Sequence, residues 1–525
     1  MLKKIVMSML AFSITVGTLA SCGNGADAGP VSDTPSEYSS EVSLDVSSEP
    51  ASGEGMETAA VSDYTAKFVY YVAAEGSNQA DIQEQADELV VENLGFHIDL
   101  MPVTLGTYAG TLSTMMAANE SIDVMPFGGN NFTDGISMGY IANLNDYSEY
   151  LEEAFAEVGD YAKVGEINGH LCGIPVNKEL NAPYGLLCRK DIMDALGYTP
   201  EDFVLDENDP NSYYKLDELF EAVQAAYPEM TVLGSNGYLG GIPAAWVDAP
   251  GNAFDVLENF GQSDTFVNWF ETDQFRDFAL VEKNWYDKGF MSADVTTMTD
   301  SGELLMKAGQ IFSYITAYKP NTLAEKLSQT GYELVLIPFA TTGMKPSLSG
   351  NGLFYGCSTA AGDPVKAAQL LNFVFTNGEI NDLINWGIEG VDWVETEDGL
   401  ADFPERIDAT NVATHNDFGW AQPNQFVGHP WVGNPADIWD QYREYNDSLL
   451  PSHALGFAYD ASAVINEVAA CNPIMEQYQK QIGLGAVDDV DAALAEFNEQ
   501  LHLAGIDTII ADKQAQYDAW RQTQE

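Results

Sequence analysis

Four stretches of this 525-residue chain set aromatic rings beside carboxamides. Phe127 precedes Asn130 and Asn131. Trp246 follows Gly240-Gly241-Ile242-Pro243. Tyr318, Lys319 and Asn321 lie together. Trp420, Gln422, Asn424 and Phe426 share an irregular Gly/Pro-rich stretch with His429 and Trp431. A flat aromatic face covers the C–H surface of a pyranose ring, and a carboxamide both donates to and accepts from hydroxyls. The pairing suits recognition of a polyhydroxylated solute. The competing reading of any one ring is core packing. Trp269 and Trp285, at helical positions, and Trp386, just before a helix-ending glycine, are read that way.

Motifs for bond-making chemistry are weak by comparison. Gly135-Ile136-Ser137-Met138-Gly139 matches the GxSxG nucleophile pattern, but no buried strand leads directly into it. The six His form no HExxH or paired metal-ligand spacing. Asp206-Glu207-Asn208-Asp209 has the charge of a calcium loop without its glycine or terminal Glu. No phosphate-cradling loop is present, and among 80 acidic residues no carboxylate pair for glycoside hydrolysis stands out. No catalytic residue, metal or cofactor is expected.

The elements that must hold these groups follow from periodicity. Phe68–Val72 reads as a buried strand. Ile82, Ala86, Leu89 and Val90 then mark a helix closed by Gly95. Phe96–Leu100 alternates as a strand, Tyr108–Met116 is helical, and Ile122–Phe127 is a third strand. This β-α-β-α-β order predicts a parallel sheet with helices on its faces, and ligands beyond the strands' carboxyl ends. A hairpin is expected over Glu166–Ile174. Strands are expected at Ala182–Arg189, Gly309–Ile315 and Tyr332–Phe339. Helices are expected at Leu216–Ala226, Phe266–Lys288, from Pro364 to about Asn377, and from Ile380 to Gly387. The last 65 or so residues read as helical, with Ile506, Ile509, Ile510, Lys513, Tyr517 and Trp520 on one stripe.

The formal net charge of −59 excludes electrostatic capture of nucleic acid and docking on anionic lipid through a basic patch. At the N-terminus, Lys3 and Lys4 precede a short apolar run ending in Leu19-Ala20-Ser21-Cys22, which resembles a bacterial lipoprotein signal. The expectation is a signal peptide over 1–21, lipidation (palmitate or a similar acyl chain) at Cys22, and a disordered acidic Ser-rich tether over 22–63. Cys172, Cys188, Cys357 and Cys471 form no CxxC pattern, and their pairing is left open.

Several segments, in order, resemble the family 1 extracellular solute-binding proteins, the lipoprotein substrate-binding subunits of ABC importers. They are Met115–Glu120 with Ile122–Met125, Glu166–Pro175, Gly185–Asp191, Asp363–Ala368, Trp386–Asp392 with Glu397-Asp398-Gly399, Leu455–Phe457 and Ala504–Asp507. The similarity covers about residues 65–525, within a large subgroup carrying a helical C-terminal extension. The resemblance implies an α/β, two-lobed, periplasmic-binding-protein-like (type II) fold with the ligand cleft between lobes. It places crossovers near Pro183 and near residues 305 and 345. Lobe one is then 64–183 plus 306–345, and lobe two 184–305 plus 346–525, including the extension from about 455.

The resemblance further implies ligand contacts at Phe127, Asn130, Asn131, Trp246, Tyr318, Asn321, Trp420, Gln422, Asn424, Phe426 and Trp431. It implies a monomeric receptor on the outer face of the cytoplasmic membrane. Such a receptor captures a carbohydrate, foremost an oligosaccharide, by hinge closure and delivers it to ABC permease subunits. The alternatives are a peptide or other polar solute on the same architecture and, more remotely, a surface glycoside hydrolase.

Overall fold

The computed structural model describes residues 61–128, 139–167, 169–234, 237–241, 246–252, 254–298, 300–347 and 352–524. The expectations for the signal peptide, Cys22, the tether up to residue 60, Asn130, Asn131, Ile242-Pro243 and Gly135–Met138 fall outside these residues.

The chain opens with β1 (Thr65–Val72), α1 (Gln79–Leu94), β2 (His97–Thr104), α2 (Leu105–Ala117) and β3 (Val124–Gly128). β1 pairs in parallel with both β2 and β3, as the sequence order requires. Ile82, Ala86 and Val90 of α1 are buried one turn apart, and the helix ends at Gly95. There the backbone takes a left-handed φ of 72°, and the Gly95 N–H donates to the Val91 carbonyl. Two strands complete this sheet, a late antiparallel strand described below and, beyond it, β4 (Ile174–Pro175).

The second sheet begins at β5 (Tyr184–Arg189). After α3 (Leu216–Ala226) come β6 (Thr231–Leu233) and α4 (Asp273–Asp287). Asn268 caps a short turn over Trp269–Glu271 and Thr272 caps the helix that follows, so the predicted helix over Phe266–Lys288 starts only at Asp273. Next come β7 (Ile311–Ala317), α5 (Thr322–Thr330) and β8 (Leu334–Pro338). β5 is flanked by β7 and β8, antiparallel to both, and β6 runs parallel beside β7.

The chain then crosses back through β9 (Met344–Lys345) to β10 (Leu353–Cys357), which pairs with β3 and β4 in the first sheet. α6 (Pro364–Thr376) and α7 (Gly378–Trp386) follow, started by Asp363 and Asn377 side chains that accept backbone N–H bonds. An irregular region leads to α8 (Ile438–Ser448) and β11 (Leu450–Pro451). The chain closes with α9 (Ile465–Gly483), α10 (Val490–Ala504) and α11 (Ile506–Gln524).

Each sheet has its own apolar core. Phe68, Val124, Ile174, Phe354 and Leu371 belong to the first, and Leu186, Phe220, Trp285, Phe312 and Ile337 to the second. Ile482, Phe497, Leu501 and Ile509 join the second core, so the C-terminal helices pack on that lobe. The expected division of the remainder is corrected by strand pairing. Ile311–Ala317 and Leu334–Pro338 hydrogen-bond to β5 and lie in lobe two, whereas Leu353–Cys357 completes the lobe-one sheet. The crossings are therefore near residues 181–183, 345–352 and 449–456, and none lies near residue 305. The last two crossing segments pair in parallel, Met344 with Leu450 and Lys345 with Pro451. Among the described residues no disulfide forms, and Cys172, Cys188, Cys357 and Cys471 are all buried.

Candidate functional site: a cavity between the two lobes

β7 ends at Ala317, and the chain turns through Tyr318–Asn321 into α5. That turn and α5 supply one wall of a cavity of about 370 Å³. The other wall comes from lobe one: α7, the Asp417–Gln425 stretch, Gly428–Asn434 and Trp439. The volume is within the usual range for small-molecule sites.

The lobe-one wall is aromatic. Trp431 lies 4.8 Å from Trp386, 4.4 Å from His415 and 4.7 Å from Phe403, ring centre to ring centre. The rings are held by their polar edges: Trp386 Nε1 donates to the His429 carbonyl at 2.9 Å, and Trp439 Nε1 to the Gly428 carbonyl at 2.7 Å. Trp420 is half-buried, with the Lys178 ammonium 5.5 Å from its ring centre. Burial pulls the Lys178 pKa down, and Glu179 opposes this.

Carboxamides brace this wall. Gln422 Nε2 donates to the Tyr71 carbonyl at 2.8 Å, and Asn424 Nδ2 to the Phe375 carbonyl at 2.7 Å. Asn381 Nδ2 donates to the Val374 and Asn377 carbonyls. Across the lobes, Asn321 Nδ2 donates to Asn434 Oδ1 at 2.8 Å, and its Oδ1 accepts from the Tyr442 hydroxyl at 2.6 Å.

The charges in the lining are matched unevenly. Lys319 Nζ lies 3.6 Å from Glu179 and 3.8 Å from Glu325. His429 Nδ1 is 2.6 Å from Asp382 Oδ2, and this hydrogen bond raises the imidazole pKa. Burial lowers the pKa of His415, keeping it neutral within the ring cluster. Asp417 is exposed on the cavity wall, with the protein around it thinning its hydration. That desolvation raises its pKa, with His415 and Lys319 opposing and Glu325 adding to the rise.

The cavity therefore collects Asn321, Trp420, Gln422, Asn424 and Trp431 from the expected contacts. It leaves out others. Phe127 is fully buried in β3 opposite Phe354. Trp246 is buried in the lobe-two core, 4.6 Å from Phe278. Tyr318 is tied to the crossing segments, its N–H donating to Pro183 and its hydroxyl to Ala340. Phe426 packs beneath the wall with Trp439 and Tyr442. Sequence reading missed Glu325, Asp382 and Asp417; Trp386, read as a packing residue, is buried with Trp393 behind the cavity wall. The only available signal was proximity in sequence to the Trp420–Trp431 aromatic run.

Two sheets with separate cores, three crossings and a cavity between lobes define the two-lobed fold of extracellular solute-binding proteins. Comparison with known proteins agrees. Residues 453–522 match the family described as a domain of unknown function, DUF3502. The chain is 22% identical over 462 residues to a carbohydrate ABC transporter substrate-binding protein of Streptococcus pneumoniae serotype 4, covering 86% of this chain and 90% of that one. In three dimensions it is similar to the N-glycan transport solute-binding protein NgtS of S. pneumoniae, with TM-score 0.74, 18% identity, and coverage of 88% of this chain and 100% of that one. The complex of NgtS with Man5GlcNAc aligns with TM-score 0.65 and 19% identity over 88% of this chain and 99% of that one. The resemblance read from the sequence thus holds for the two-lobed fold, and the chain is similar in sequence to a named substrate-binding protein. The relative found by sequence is a transport protein by name.

Proposed function

We propose that this chain is the solute-binding receptor of an ABC importer, and that it captures a carbohydrate, foremost an oligosaccharide, without altering it. The observation that carries this is the interlobe cavity, where Trp420 and Trp431 stand beside braced carboxamides. Rings of this kind cover sugar C–H faces, and the amides order the hydroxyls. Walls drawn from both lobes allow hinge closure to exclude water and reopening at the permease to release the solute. The relatives' named carbohydrate and N-glycan ligands support the same reading.

In this proposal Cys22 carries the lipid anchor, residues 22–63 are the tether, and the monomeric receptor stands on the outer face of the cytoplasmic membrane. Among the described residues no helix is long and apolar enough to cross a membrane. Calorimetric titration against mono- and oligosaccharides tests the binding, and small-angle scattering tests closure. Heat and compaction with at least one saccharide are expected. A silent panel with no compaction refutes the reading.

A further inference from the structure

Polar groups in the cavity lining differ in whether they already have partners. The carboxamide nitrogens of Gln422 and Asn381 donate to backbone carbonyls, which fixes the orientation of both side chains. Their oxygens, Gln422 Oε1 and Asn381 Oδ1, are buried without a hydrogen-bond partner, as is Gln425 Oε1. Buried polar atoms without partners cost free energy, so the amides behind the cavity wall hold unmet acceptor capacity. All three are oxygens of residues that line the cavity.

Asp417 extends the pattern. Its backbone sits at φ 49°, in the left-handed region that a non-glycine residue enters at a cost. No hydrogen bond from another described residue reaches its carboxylate, which lines the cavity. Glu325 faces it from lobe two, its carboxylate 3.5 Å from Lys326 and 3.8 Å from Lys319. The cations nearby are engaged: Lys319 lies between Glu179 and Glu325, His429 is bonded to Asp382, and Lys178 is buried against Trp420.

We propose that Asp417 anchors the ligand, its carboxylate accepting hydrogen bonds from a pair of saccharide hydroxyls, and that with Glu325 it makes the cavity reject saccharides bearing a carboxylate. The ligand class is therefore a donor-rich, uncharged saccharide. This rests on the carbohydrate reading above and adds its selectivity. Hydrogen bonds to a charged acceptor are stronger than neutral ones, so one aspartate serves as an anchor where amides serve as guides. A ligand carboxylate brings no donor to these acceptors and meets like charge at short range.

The test starts from a neutral oligosaccharide that binds the wild-type protein in the panel. Its forms oxidised from hydroxymethyl to carboxylate, one position at a time, are titrated beside it. The titrations are run at low salt and at about 0.5 M, where screening removes the long-range repulsion of the acidic surface but not a contact within the cavity. At least one oxidised form should bind tenfold or more weakly at both salt concentrations. Asp417→Asn should weaken the neutral ligand by about tenfold and narrow the gap to the oxidised form. Glu325→Gln, on the opposite wall, should narrow that gap even if the Asp417 variant does not fold. A panel with no binder overturns the carbohydrate reading and this selectivity with it. A neutral binder matched by all its oxidised forms overturns the selectivity alone. So do folded Asp417→Asn and Glu325→Gln variants that leave affinity and gap unchanged.

Discussion

Asp248 of lobe two clamps Ser347 on a crossing segment: one carboxylate oxygen accepts the Ser347 backbone N–H at 2.9 Å, and the other accepts its hydroxyl at 2.8 Å. All three groups are buried. Ser452, on the other paired crossing segment, also bonds this carboxylate. Its chain runs so close to Gly261, at φ 70°, that a Cβ there would lie 2.5 Å from Ser452 Oγ. Lobe two therefore grips both paired segments at their point of departure, so rotation between the lobes must be taken up beyond these residues. Asp248→Ala strands the Ser347 donors in a buried site. The expected loss is about 3 kcal/mol of unfolding free energy, given that each bond to a charged group contributes ~1.5–3 kcal/mol. Denaturant titration measures it, and small-angle scattering should show a broader spread of lobe separations. A variant as stable and as compact as the parent contradicts the clamp.

The C-terminal helices meet lobe two through Lys513 and Asp255, both fully buried, 2.5 Å apart. Asn252 Oδ1 also accepts from the ammonium at 3.2 Å. Burial raises the Asp255 pKa and lowers that of Lys513, so desolvation outweighs pairing for each. Removing one partner leaves the other charge alone in the core. Lys513→Ala should cost about 3–5 kcal/mol, whereas replacing both with apolar residues of similar volume should recover most of that loss. Unfolding curves for the single variant and for Lys513→Met with Asp255→Leu decide it. A double variant no more stable than the single one would show that the pair contributes more than mutual neutralisation.

Glu282 of α4 is fully buried; one oxygen accepts the Leu239 N–H at 2.8 Å and the other has no partner. Burial raises its pKa from the usual 4.5 to about 8, opposed by the Leu239 bond. The folded state therefore holds a proton that the unfolded chain releases. This contribution to stability is complete below pH 4.5 and is lost as pH rises through about 8. Glu282→Gln removes the titration. Its stability relative to wild type should rise from pH 5 to pH 8 by about 1–3 kcal/mol, below the ideal linkage value because buried sites relax. A difference that stays flat with pH refutes the protonated carboxyl. Comparing the two proteins at each pH cancels the opposite slope from carboxylates held low by partners, such as Asp264 beside His453 and Arg521.

Local periodicity was enough to place β1 through β3 and their helices, because one buried face per helix and one fully buried strand leave few alternatives. It did not say which sheet Ile311–Ala317 joins. An apolar strand fits either sheet, and its partner β5 lies more than a hundred residues earlier. The site was legible where chemistry is concentrated, from Trp420 to Trp431. It was illegible on α5, where Glu325 reads like any exposed helix acid, and at Asp417, whose left-handed backbone leaves no mark in the sequence. Trp246 and Phe127 misled for the converse reason: a ring beside glycine or asparagine looks the same whether it faces a solute or a core.

That last ambiguity separates two tryptophans experimentally. Trp431 is half-buried on the cavity wall, and Trp246 is 1% exposed in the lobe-two core. Trp431→Ala removes a face on which a sugar ring would lie. It should weaken saccharide binding by about 10- to 100-fold, or ~1.4–2.8 kcal/mol. Trp431→Phe keeps an aromatic face and should recover part of that. Trp246→Ala instead opens a large cavity against Phe278 and should cost about 3–5 kcal/mol of stability. Among molecules that remain folded, its saccharide affinity should match wild type. Calorimetry and thermal unfolding on the same preparations supply both readouts. A Trp246 variant that loses affinity while keeping its stability would move the ligand away from the interlobe cavity and toward lobe two.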